Sequence, residues 1–352
     1  MPSFLRLKIL NKHKAAVWNI CWSSYGEFLL SCGADGIIII WGPISKFLCK
    51  NSNLKKTTEN IQFVKWNNLC KFESFLEFKT YRNIAWLSNF NQFCVCSFSG
   101  ISHLCKIVFL NLDKSVSLKK QSSLIGPSSE IKSCNYSPDG NLISISSRNK
   151  SVWIWQKDFR KIFNCYFLLK QHDSDVKYLK WYPKHKYLIT ATYDGIMRFF
   201  KKKKRKLSYS GSISLFNSTI WNINFSEKGN EFYFCTNKGE MGFFLKNKKL
   251  FLCVFLSTVC ISFFLISNQT LAILQTNSED SVSIIIRCKL SMKEKDLQFL
   301  YGGVSKLFRF KIENSLFCPH LGDINSLAWH PNNTNIIASC GDDLSIFIWY
   351  YN

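Results

Sequence analysis

One pattern of residues recurs along this chain and limits the folds that it can adopt. Each copy begins with a histidine, continues with an aspartate in a turn, and closes with an aromatic residue. The three clearest copies are His13, Asp35, Trp41; His172, Asp194, Phe200; and His320, Asp343, Trp349. The first interval is 22 residues in two copies and 23 in the third, and the second interval is 6 residues in all three. Such spacing predicts short strands and tight turns, in units that must pack together to bury their apolar faces.

Aromatic residues that close the first strand of each unit reveal the remaining copies. They are Trp22, Trp86, Tyr136, Trp181, Phe225 and Trp329, with a weaker candidate at Phe264. A period of about 45 residues predicts an all-β chain, a seven-bladed WD40 β-propeller, as a single domain over residues 1–352. The predicted blades open near residues 13, 77, 127, 172, 216, about 254, and 320, with insertions at 42–76 and within 267–311. In blade six, either Asp280 with Ile286 or Gly302-Gly303 with Phe310 marks the second turn.

The two ends of the chain predict how the ring closes. Only three residues follow Trp349, so the last blade has no room for its own outer strand. Residues 4–10 have the period-two alternation of side chains that is typical of a β-strand, and this strand has no partner in the first blade. We expect this N-terminal strand to pair with the last blade, because closure protects sheet edges. Residues 1–10 contain no uninterrupted apolar stretch, so we expect no signal peptide.

The net charge of +23, from 46 basic and 23 acidic residues, raises the question of nucleic-acid binding. Clustered cations bind phosphates by releasing counterions. The basic residues are mostly lysine, however, and Phe, Ile and Asn are also abundant, which is typical of an AT-rich gene. We therefore expect no direct contact with nucleic acid, and a basic nucleic-acid-binding propeller stays open as an alternative.

One short run concentrates this positive charge. It comprises Lys201, Lys202, Lys203, Lys204, Arg205 and Lys206. A compact cationic segment on an exposed loop suits a nuclear localisation signal. The other interpretation is a solvated turn between the third and fourth strands of blade four.

Residues 250–266 form a stretch of 17 residues without a charge, which approaches the length of a membrane span. The stretch is rich in β-branched and aromatic residues and includes several hydroxyl side chains. It also falls where blade six must begin. Two strands around a short turn explain it better, so we expect no membrane insertion.

The 15 cysteines do not follow the spacing of a disulfide framework or a closed metal site. Four of them occupy one repeat position: Cys32, Cys96, Cys235 and Cys340. Because the repeats surround a ring, we expect these thiols to lie far apart. The sequence therefore predicts no metal, no cofactor and a reducing compartment.

The polar residues of the repeat fit a structural network and not a catalytic one. In each blade, a histidine would bond to a hydroxyl and an aspartate, with an indole as a further donor. The predicted members are His13, Ser31, Asp35, Trp41; His172, Thr190, Asp194; and His320, Ser339, Asp343, Trp349. Because the set occurs three times at equivalent positions, it indicates architecture and not a Ser-His-Asp catalytic triad. Phosphate-binding loops and a nucleophile elbow are also missing, so we predict no enzyme and no small-molecule substrate.

Function is instead expected at the top rim, where the first strands begin and the second strands end. The predicted partner-binding residues are Trp18, Arg82, Lys132, Arg148, Lys177, Tyr193, Trp221 and Asn325. Tryptophan and arginine dominate the binding energy of many protein interfaces. The plainer interpretation is the ordinary mixed rim that any propeller has.

Several motifs carry a resemblance to a known family. The segment from Ser147 through Arg148 to Trp153 is similar to the Ser-Arg-Asp-Lys-Ser-Val-Trp motif of the WD-repeat scaffold protein of the cytosolic iron-sulfur protein assembly (CIA) machinery. Further matches lie at residues 31–42, 172–194 and 323–331. The resemblance covers most of the chain.

This resemblance implies a scaffold in the CIA complex that works through protein–protein interaction. Members of the family join a MIP18-family adaptor and a large helical-repeat targeting protein, and they help deliver iron-sulfur clusters to cytosolic and nuclear apoproteins. The functional rim arginine of the family corresponds to Arg148, and the implied location is the cytoplasm, with the nucleus also open. The alternative function is a WD40 scaffold in chromatin or RNA-processing complexes.

The chain also departs from the family pattern. Asn149 replaces the aspartate of blade three, and Pro127 replaces its histidine. In blade five, Phe216 and Lys238 occupy the histidine and aspartate positions.

Overall fold

The computed structural model of the chain is built from β-strands, and the residues that it describes include no α-helix. Those residues are 4–43, 66–73, 80–87, 91–110, 115–183, 187–203, 206–214, 217–225, 231–237, 240–245, 250–254, 259–266, 270–276, 283–291, 297–299, 304–306, 309–317, 320–333 and 335–351. The departures at Phe216 and Lys238 lie outside them.

The strands form four-stranded antiparallel sheets, seven of them in the described residues. Sheets one to three consist of β2 (Val17–Trp22), β3 (Leu29–Gly33), β4 (Ile37–Pro43), β5 (Trp66–Glu73); β6 (Tyr81–Leu87), β7 (Gln92–Ser97), β8 (Ile101–Leu110), β9 (Ser115–Ile125); and β10 (Ile131–Tyr136), β11 (Leu142–Ser147), β12 (Val152–Lys157), β13 (Phe163–Leu169). Sheets four and five consist of β14 (Val176–Trp181), β15 (Tyr187–Thr192), β16 (Ile196–Lys203), β17 (Lys206–Ser214); and β18 (Ile220–Phe225), β19 (Glu231–Thr236), β20 (Glu240–Leu245), β21 (Leu250–Val254).

Sheet six contains an inserted hairpin between its third and fourth strands. It consists of β22 (Val259–Ile266), β23 (Thr270–Thr276), β24 (Ser283–Ser291) and β27 (Arg309–Phe317). The hairpin consists of β25 (Leu297–Phe299) and β26 (Val304–Lys306). Strand β23 pairs with β24, and Asp280, the first candidate for the second turn of blade six, lies outside the described residues. The other candidate, Gly302-Gly303, also lies outside the described residues.

Sheet seven joins the two ends of the chain. It consists of β28 (Ile324–Trp329), β29 (Ile336–Gly341), β30 (Ser345–Tyr351) and the N-terminal strand β1 (Phe4–Asn11). Strands β1 and β30 are antiparallel, with Phe4 opposite Tyr351 and Asn11 opposite Ser345. Strand β1 therefore covers the edge that β30 would otherwise expose.

The two unusual segments of the sequence both form strands. Residues 250–266 contain β21 and β22, in agreement with the expectation of two strands. Within the described part of the chain, no helix has the length and hydrophobicity needed to cross a bilayer. In the basic run, Lys201, Lys202 and Lys203 end β16 and Lys206 begins β17, whereas Lys204 and Arg205 lie outside the described residues.

The apolar core lies between neighbouring sheets. All residues of β4 are buried, and their side chains alternate between its two faces. Ile37, Ile39 and Trp41 pack with sheet seven, whereas Ile38 and Ile40 pack with sheet two. Further apolar clusters join sheet two to three, three to four, and four to five.

The first strands of successive sheets contact each other directly. The contacting pairs are β2 with β6, β6 with β10, β10 with β14, β14 with β18, β18 with β22, β22 with β28, and β28 with β2. The series returns to its starting strand. Each first strand is the edge of its own sheet, so its outward N–H groups need partners from elsewhere.

Asparagine side chains supply several of these partners. Asn19 Oδ1 accepts a hydrogen bond from the backbone N–H of Ile84 at 3.1 Å, which joins sheet one to sheet two. Its Nδ2 donates to Ser326 Oγ in sheet seven at 3.3 Å. In the same way, Asn83 Oδ1 accepts from the Cys134 N–H at 3.1 Å. These bonds fix sheet one against sheets two and seven, and sheet two against sheet three.

The predicted polar network is fully formed in sheet one. Trp41 Nε1 donates to Ser31 Oγ at 2.8 Å, Ser31 Oγ lies 2.8 Å from His13 Nε2, and His13 Nδ1 lies 2.9 Å from Asp35 Oδ2. Since a carboxylate only accepts, Nδ1–H of the histidine is the donor to Asp35. Burial raises the pKa of Asp35, but hydrogen bonds from His13 and two backbone amides outweigh it and lower the pKa.

Sheet seven repeats this arrangement at its own positions. Trp349 Nε1 donates to Ser339 Oγ at 2.9 Å, and Ser339 Oγ lies 2.7 Å from His320 Nε2. His320 Nδ1 lies 2.9 Å from Asp343 Oδ1. The chain of donors and acceptors is therefore the same in two sheets that neighbour each other.

In sheet four, the predicted hydrogen bond between His172 and Asp194 is wrong. His172 Nε2 lies 2.9 Å from Thr190 Oγ1, as expected. Asp194, however, accepts from the hydroxyl of Thr192 and not from the imidazole. Phe200 occupies the position of the tryptophan, and its side chain has no N–H to donate.

The reason for this difference is the residue between the hydroxyl and aspartate positions. Sheets one and seven have Gly33 and Gly341 there, whereas sheet four has Thr192. A Cβ on Gly33 would lie 2.6 Å from a backbone carbonyl oxygen and 3.3 Å from His13 Nδ1. Glycine therefore leaves room for the His–Asp hydrogen bond, whereas threonine fills this space and binds the carboxylate itself.

We predict that Asn19→Ala destabilises the fold by about 1 to 3 kcal/mol, because it leaves the Ile84 N–H without its acceptor in a part-buried position. Urea unfolding followed by tryptophan fluorescence measures the change. Asn141→Ala is the matched control, since within the described residues its exposed side chain bonds to Asp139 alone, in its own turn. Equal stability of the two variants would contradict the role of Asn19.

A second prediction concerns His172, whose pKa is lowered to about 4 by burial, reinforced by the charge of Arg198. Between pH 6.5 and 4 the unfolded chain binds a proton here that the folded chain does not. The free energy of unfolding therefore falls with falling pH, by about 1.4 kcal/mol per unit from this residue. His172→Gln should have a shallower slope in denaturant titrations across this window. Equal slopes for wild type and variant would contradict the lowered pKa.

Candidate functional site

The top rim has one recurring backbone feature. The residue after the second strand donates its N–H to the carbonyl of the residue before the first strand of the same sheet. The pairs are Ala34 to Ala16, Phe98 to Thr80, Arg148 to Glu130, Tyr193 to Asp175, Asn237 to Thr219, and Asp342 to Asp323. These bonds, of 2.8 to 3.0 Å, set the positions of the rim side chains on both sides.

Trp18 and Arg82 link the rims of sheets one and two. The guanidinium carbon of Arg82 lies 4.6 Å from the centre of the Trp18 ring, at cation–π distance. Arg82 Nη1 also donates to the carbonyl of Trp18 at 3.5 Å. Burial lowers the pKa of Arg82, but an arginine stays charged at neutral pH.

Glu130 organises the rim of sheet three. Its carboxylate oxygens accept from Lys132 Nζ at 2.5 Å and from Arg148 Nη1 at 3.2 Å. Lys132 Nζ also lies 4.7 Å from the centre of the Phe98 ring in sheet two. The hydrogen bond from Lys132 lowers the pKa of Glu130. Arg148 remains accessible, with 59% of its side chain exposed.

Lys177 occupies the corresponding place on sheet four. Its ammonium group lies 3.3 Å from Asp175 Oδ2, 5.0 Å from the Tyr193 ring centre and 5.6 Å from the Trp221 ring centre. Burial lowers the pKa of Lys177, and the charges of Lys132 and Arg148 lower it further. Tyr193 is 59% exposed, so one face of this cluster is open to solvent.

Asn325 makes structural contacts at the rim between sheets seven and one. Its Nδ2 donates to Asp342 Oδ1 at 2.7 Å and to the carbonyl of Val17 at 3.1 Å. The side chain therefore holds β28 against β2.

The structure divides the eight predicted rim residues into three groups. Lys132, Arg148, Lys177, Tyr193 and Trp221 lie close together on sheets three to five. Trp18 and Arg82 form a separate pair, and Asn325 lies in the joint between sheets seven and one. Three further residues belong to these clusters and were not predicted: Phe98, Glu130 and Asp175. The last two could have been found, because each directly precedes the first strand of its blade.

Three cysteines lie close together, and of these only Cys96 is among the four that were expected to lie far apart. The Sγ atoms of Cys94, Cys96 and Cys134 all lie within 4.8 Å of one another, and all three residues are buried. Cys96 belongs to sheet two and Cys134 to the first strand of sheet three, so repeat position alone did not indicate their contact. Burial raises the pKa of Cys96, but hydrogen bonds from Cys134, Cys94 and Ser102 outweigh it and lower the pKa below its ordinary value. Burial raises the pKa of Cys134.

Two family models match parts of the chain. The WD domain, G-beta repeat, matches residues 5–42 and 313–350. The anaphase-promoting complex subunit 4 WD40 domain matches residues 134–228. Both models describe WD40 repeats, as the spacing predicted.

The chain is similar to cytosolic iron-sulfur protein assembly proteins and to pre-mRNA-processing factors. The chain is 31% identical to the probable cytosolic iron-sulfur protein assembly protein 1 of Neurospora crassa, over 22% of this chain and 23% of that protein. For the protein of the same name in Candida glabrata, the identity is 28% over 43% of this chain and 40% of the relative. A third similar protein, the pre-mRNA-processing factor 19 homolog 2 of Arabidopsis thaliana, is 29% identical over 22% of this chain and 15% of its own length. Each alignment thus spans less than half of the relative. The chain carries WD40 repeats, and its predicted resemblance to the WD-repeat proteins of cytosolic iron-sulfur protein assembly is confirmed at modest identity.

Proposed function

We propose that this chain is a non-enzymatic scaffold of the cytosolic iron-sulfur protein assembly targeting complex, which helps deliver iron-sulfur clusters to cytosolic and nuclear apoproteins. The observation that carries the proposal is the exposed Arg148 beside Lys132 and Lys177, in the blade whose motif resembles that family. The proposed partners are a MIP18-family adaptor, a large helical-repeat targeting protein and the apoproteins themselves.

The proposal includes a seven-bladed propeller of residues 1–352, in which each four-stranded sheet is one blade. The circular series of contacts between first strands supports this architecture. The antiparallel pair of β1 and β30 would close the ring. A closed ring holds the rim side chains of different blades at fixed distances, which is what a scaffold needs to orient two or more partners.

Arg148 is the rim cation best suited to an acidic partner. Lys132 and Lys177 each have a carboxylate within 3.3 Å and an aromatic ring within cation–π distance. Within the described residues, the ion pair of Arg148 is with Glu130 alone, through a single nitrogen. Its other N–H groups can therefore bind a carboxylate in the bidentate geometry that lysine cannot reproduce.

The burial of the polar networks supports a structural role for their residues. For this reason the proposed function is not enzymatic. The imidazoles of His13, His172 and His320 are buried, and their hydroxyl partners Ser31, Thr190 and Ser339 are completely buried. A nucleophile needs access to its substrate, and these hydroxyl groups have none. The proposed location is the cytoplasm, and the Lys201 to Lys206 run would admit the chain to the nucleus.

A second candidate is a WD40 scaffold in RNA processing. The similarity to the Arabidopsis pre-mRNA-processing factor 19 homolog favours it, although that alignment covers only 15% of the relative. It predicts different partners on the same rim.

We predict that Arg148→Ala loses the MIP18-family adaptor without unfolding, because the guanidinium is 59% exposed and its removal leaves no buried cavity. Tagged wild type and variant are purified from the native cells, and the co-purified proteins are quantified by mass spectrometry. We expect at least a tenfold loss of the adaptor, which corresponds to one bidentate ion pair of about 1.4 kcal/mol or more.

Arg160→Ala is the matched control for this experiment. It removes the same residue type from the same sheet, but at the opposite end, in the turn between β12 and β13. The control should retain the adaptor at the wild-type level. Equal recovery with all three proteins would contradict a role of Arg148, and recovery of RNA-processing proteins instead of iron-sulfur assembly proteins would favour the second candidate.

A further inference from the structure

Three buried thiols meet where sheet two packs against sheet three. Cys94 and Cys96 are two residues apart on β7, so both side chains point to the same face of that strand. Cys134 approaches them from β10, the first strand of the next sheet. The three Sγ atoms lie within 4.8 Å of one another, and the residues are 0%, 0% and 3% exposed, respectively.

Polar groups make hydrogen bonds with two of the three thiols. Ser102 Oγ donates a hydrogen bond to Cys96 Sγ at 3.3 Å. The Cys134 thiol is directed towards two oxygens, Asn83 Oδ1 at 3.6 Å and the Cys94 carbonyl at 3.7 Å. The cluster is otherwise enclosed by apolar side chains, among them Ile131 and Ile145.

We propose that Cys94, Cys96 and Cys134 form a buried three-thiolate site for a single thiophilic metal ion, Zn²⁺ in the native chain. A zinc–sulfur bond is about 2.3 Å long, which sets the sulfur atoms of a tetrahedral site about 3.8 Å apart. Sulfur atoms within 4.8 Å reach this geometry by movements of less than about 1 Å. Thiolates are the ligands that soft and borderline ions prefer. We assign the fourth position to the Ser102 hydroxyl, whose Oγ lies 3.3 Å from Cys96 Sγ.

Binding of the ion at this place would join two sheets. The thiols lose their protons when the ion binds, and the resulting charge of the three thiolates is largely neutralised by the divalent cation. Because the thiols have almost no solvent exposure, the ion enters while the two sheets assemble or when they open locally. This inference does not depend on the proposed scaffold function, since it concerns the interior of the chain and not its rim.

The test uses the full-length chain, reduced and freed of metal, and titrated with Cd²⁺ as a spectroscopic probe for Zn²⁺. We expect thiolate-to-cadmium absorption that saturates at one equivalent, and one bound Zn²⁺ per chain by elemental analysis when the protein is refolded with zinc. The thermal midpoint should rise on binding, since the ion binds only the folded state. A wild-type chain with neither the absorption nor a stoichiometric ion would overturn the proposal.

Cys96→Ala and Cys134→Ala should each reduce bound zinc by at least tenfold. Cys340→Ala is the matched control, because Cys340 is fully buried at the same repeat position as Cys96 but lies in sheet seven. Circular dichroism verifies that each variant is folded. If a variant does not fold, the titration of the wild-type chain tests the proposal on its own. Zinc retained by both cluster variants, or a disulfide between Cys134 and either neighbour in place of the ion, would contradict the site.

Discussion

The unpaired edge of each first strand is the constraint on which the rest of this structure depends. A four-stranded antiparallel sheet leaves the outward N–H groups of its first strand without ladder partners, and burial makes such groups expensive. The side-chain carbonyls of Asn19 and Asn83 accept hydrogen bonds from such N–H groups in the next sheet. Sheet one thus supplies an acceptor to sheet two, and sheet two supplies one to sheet three. Apolar residues on both faces of the strands fill the space between sheets. No sheet of this kind satisfies its groups alone.

The contacts between rim side chains also depend on the packing of neighbouring first strands. Because adjacent first strands are held side by side, rim side chains of one sheet contact those of the next, as Arg82 does with Trp18 and Lys177 with Trp221. Lys132 and Lys177 each contact a carboxylate and an aromatic ring. These contacts fix the positions of the lysines, and the carboxylates neutralise their charge. Arg148 keeps most of its donors available. A surface of this kind offers preformed contacts, among them the exposed guanidinium of Arg148 with further N–H donors.

Much of this could be predicted from the sequence, because spacing within a repeat determines contacts within a sheet. The intervals from His13 to Asp35 and from His320 to Asp343 correctly indicated two hydrogen-bonded networks. The same interval failed at His172, because Thr192 occupies a space that glycine leaves open in the other sheets. Contacts between sheets were harder to predict. The meeting of Cys96 with Cys134 depends on how two blades pack, and spacing within one repeat carries no information about that.

Site-specific photocrosslinking from the rim tests the central claim, that partners bind where Arg148 and Lys177 lie. A benzophenone amino acid would replace Tyr193, which is 59% exposed beside Lys177, and in a second strain Phe159, which is 88% exposed at the opposite end of sheet three. We predict that irradiation in cells crosslinks a MIP18-family adaptor to the probe at Tyr193 and not to the probe at Phe159. Crosslinks to the adaptor from Phe159 alone, or to RNA-processing proteins from Tyr193, would contradict this account.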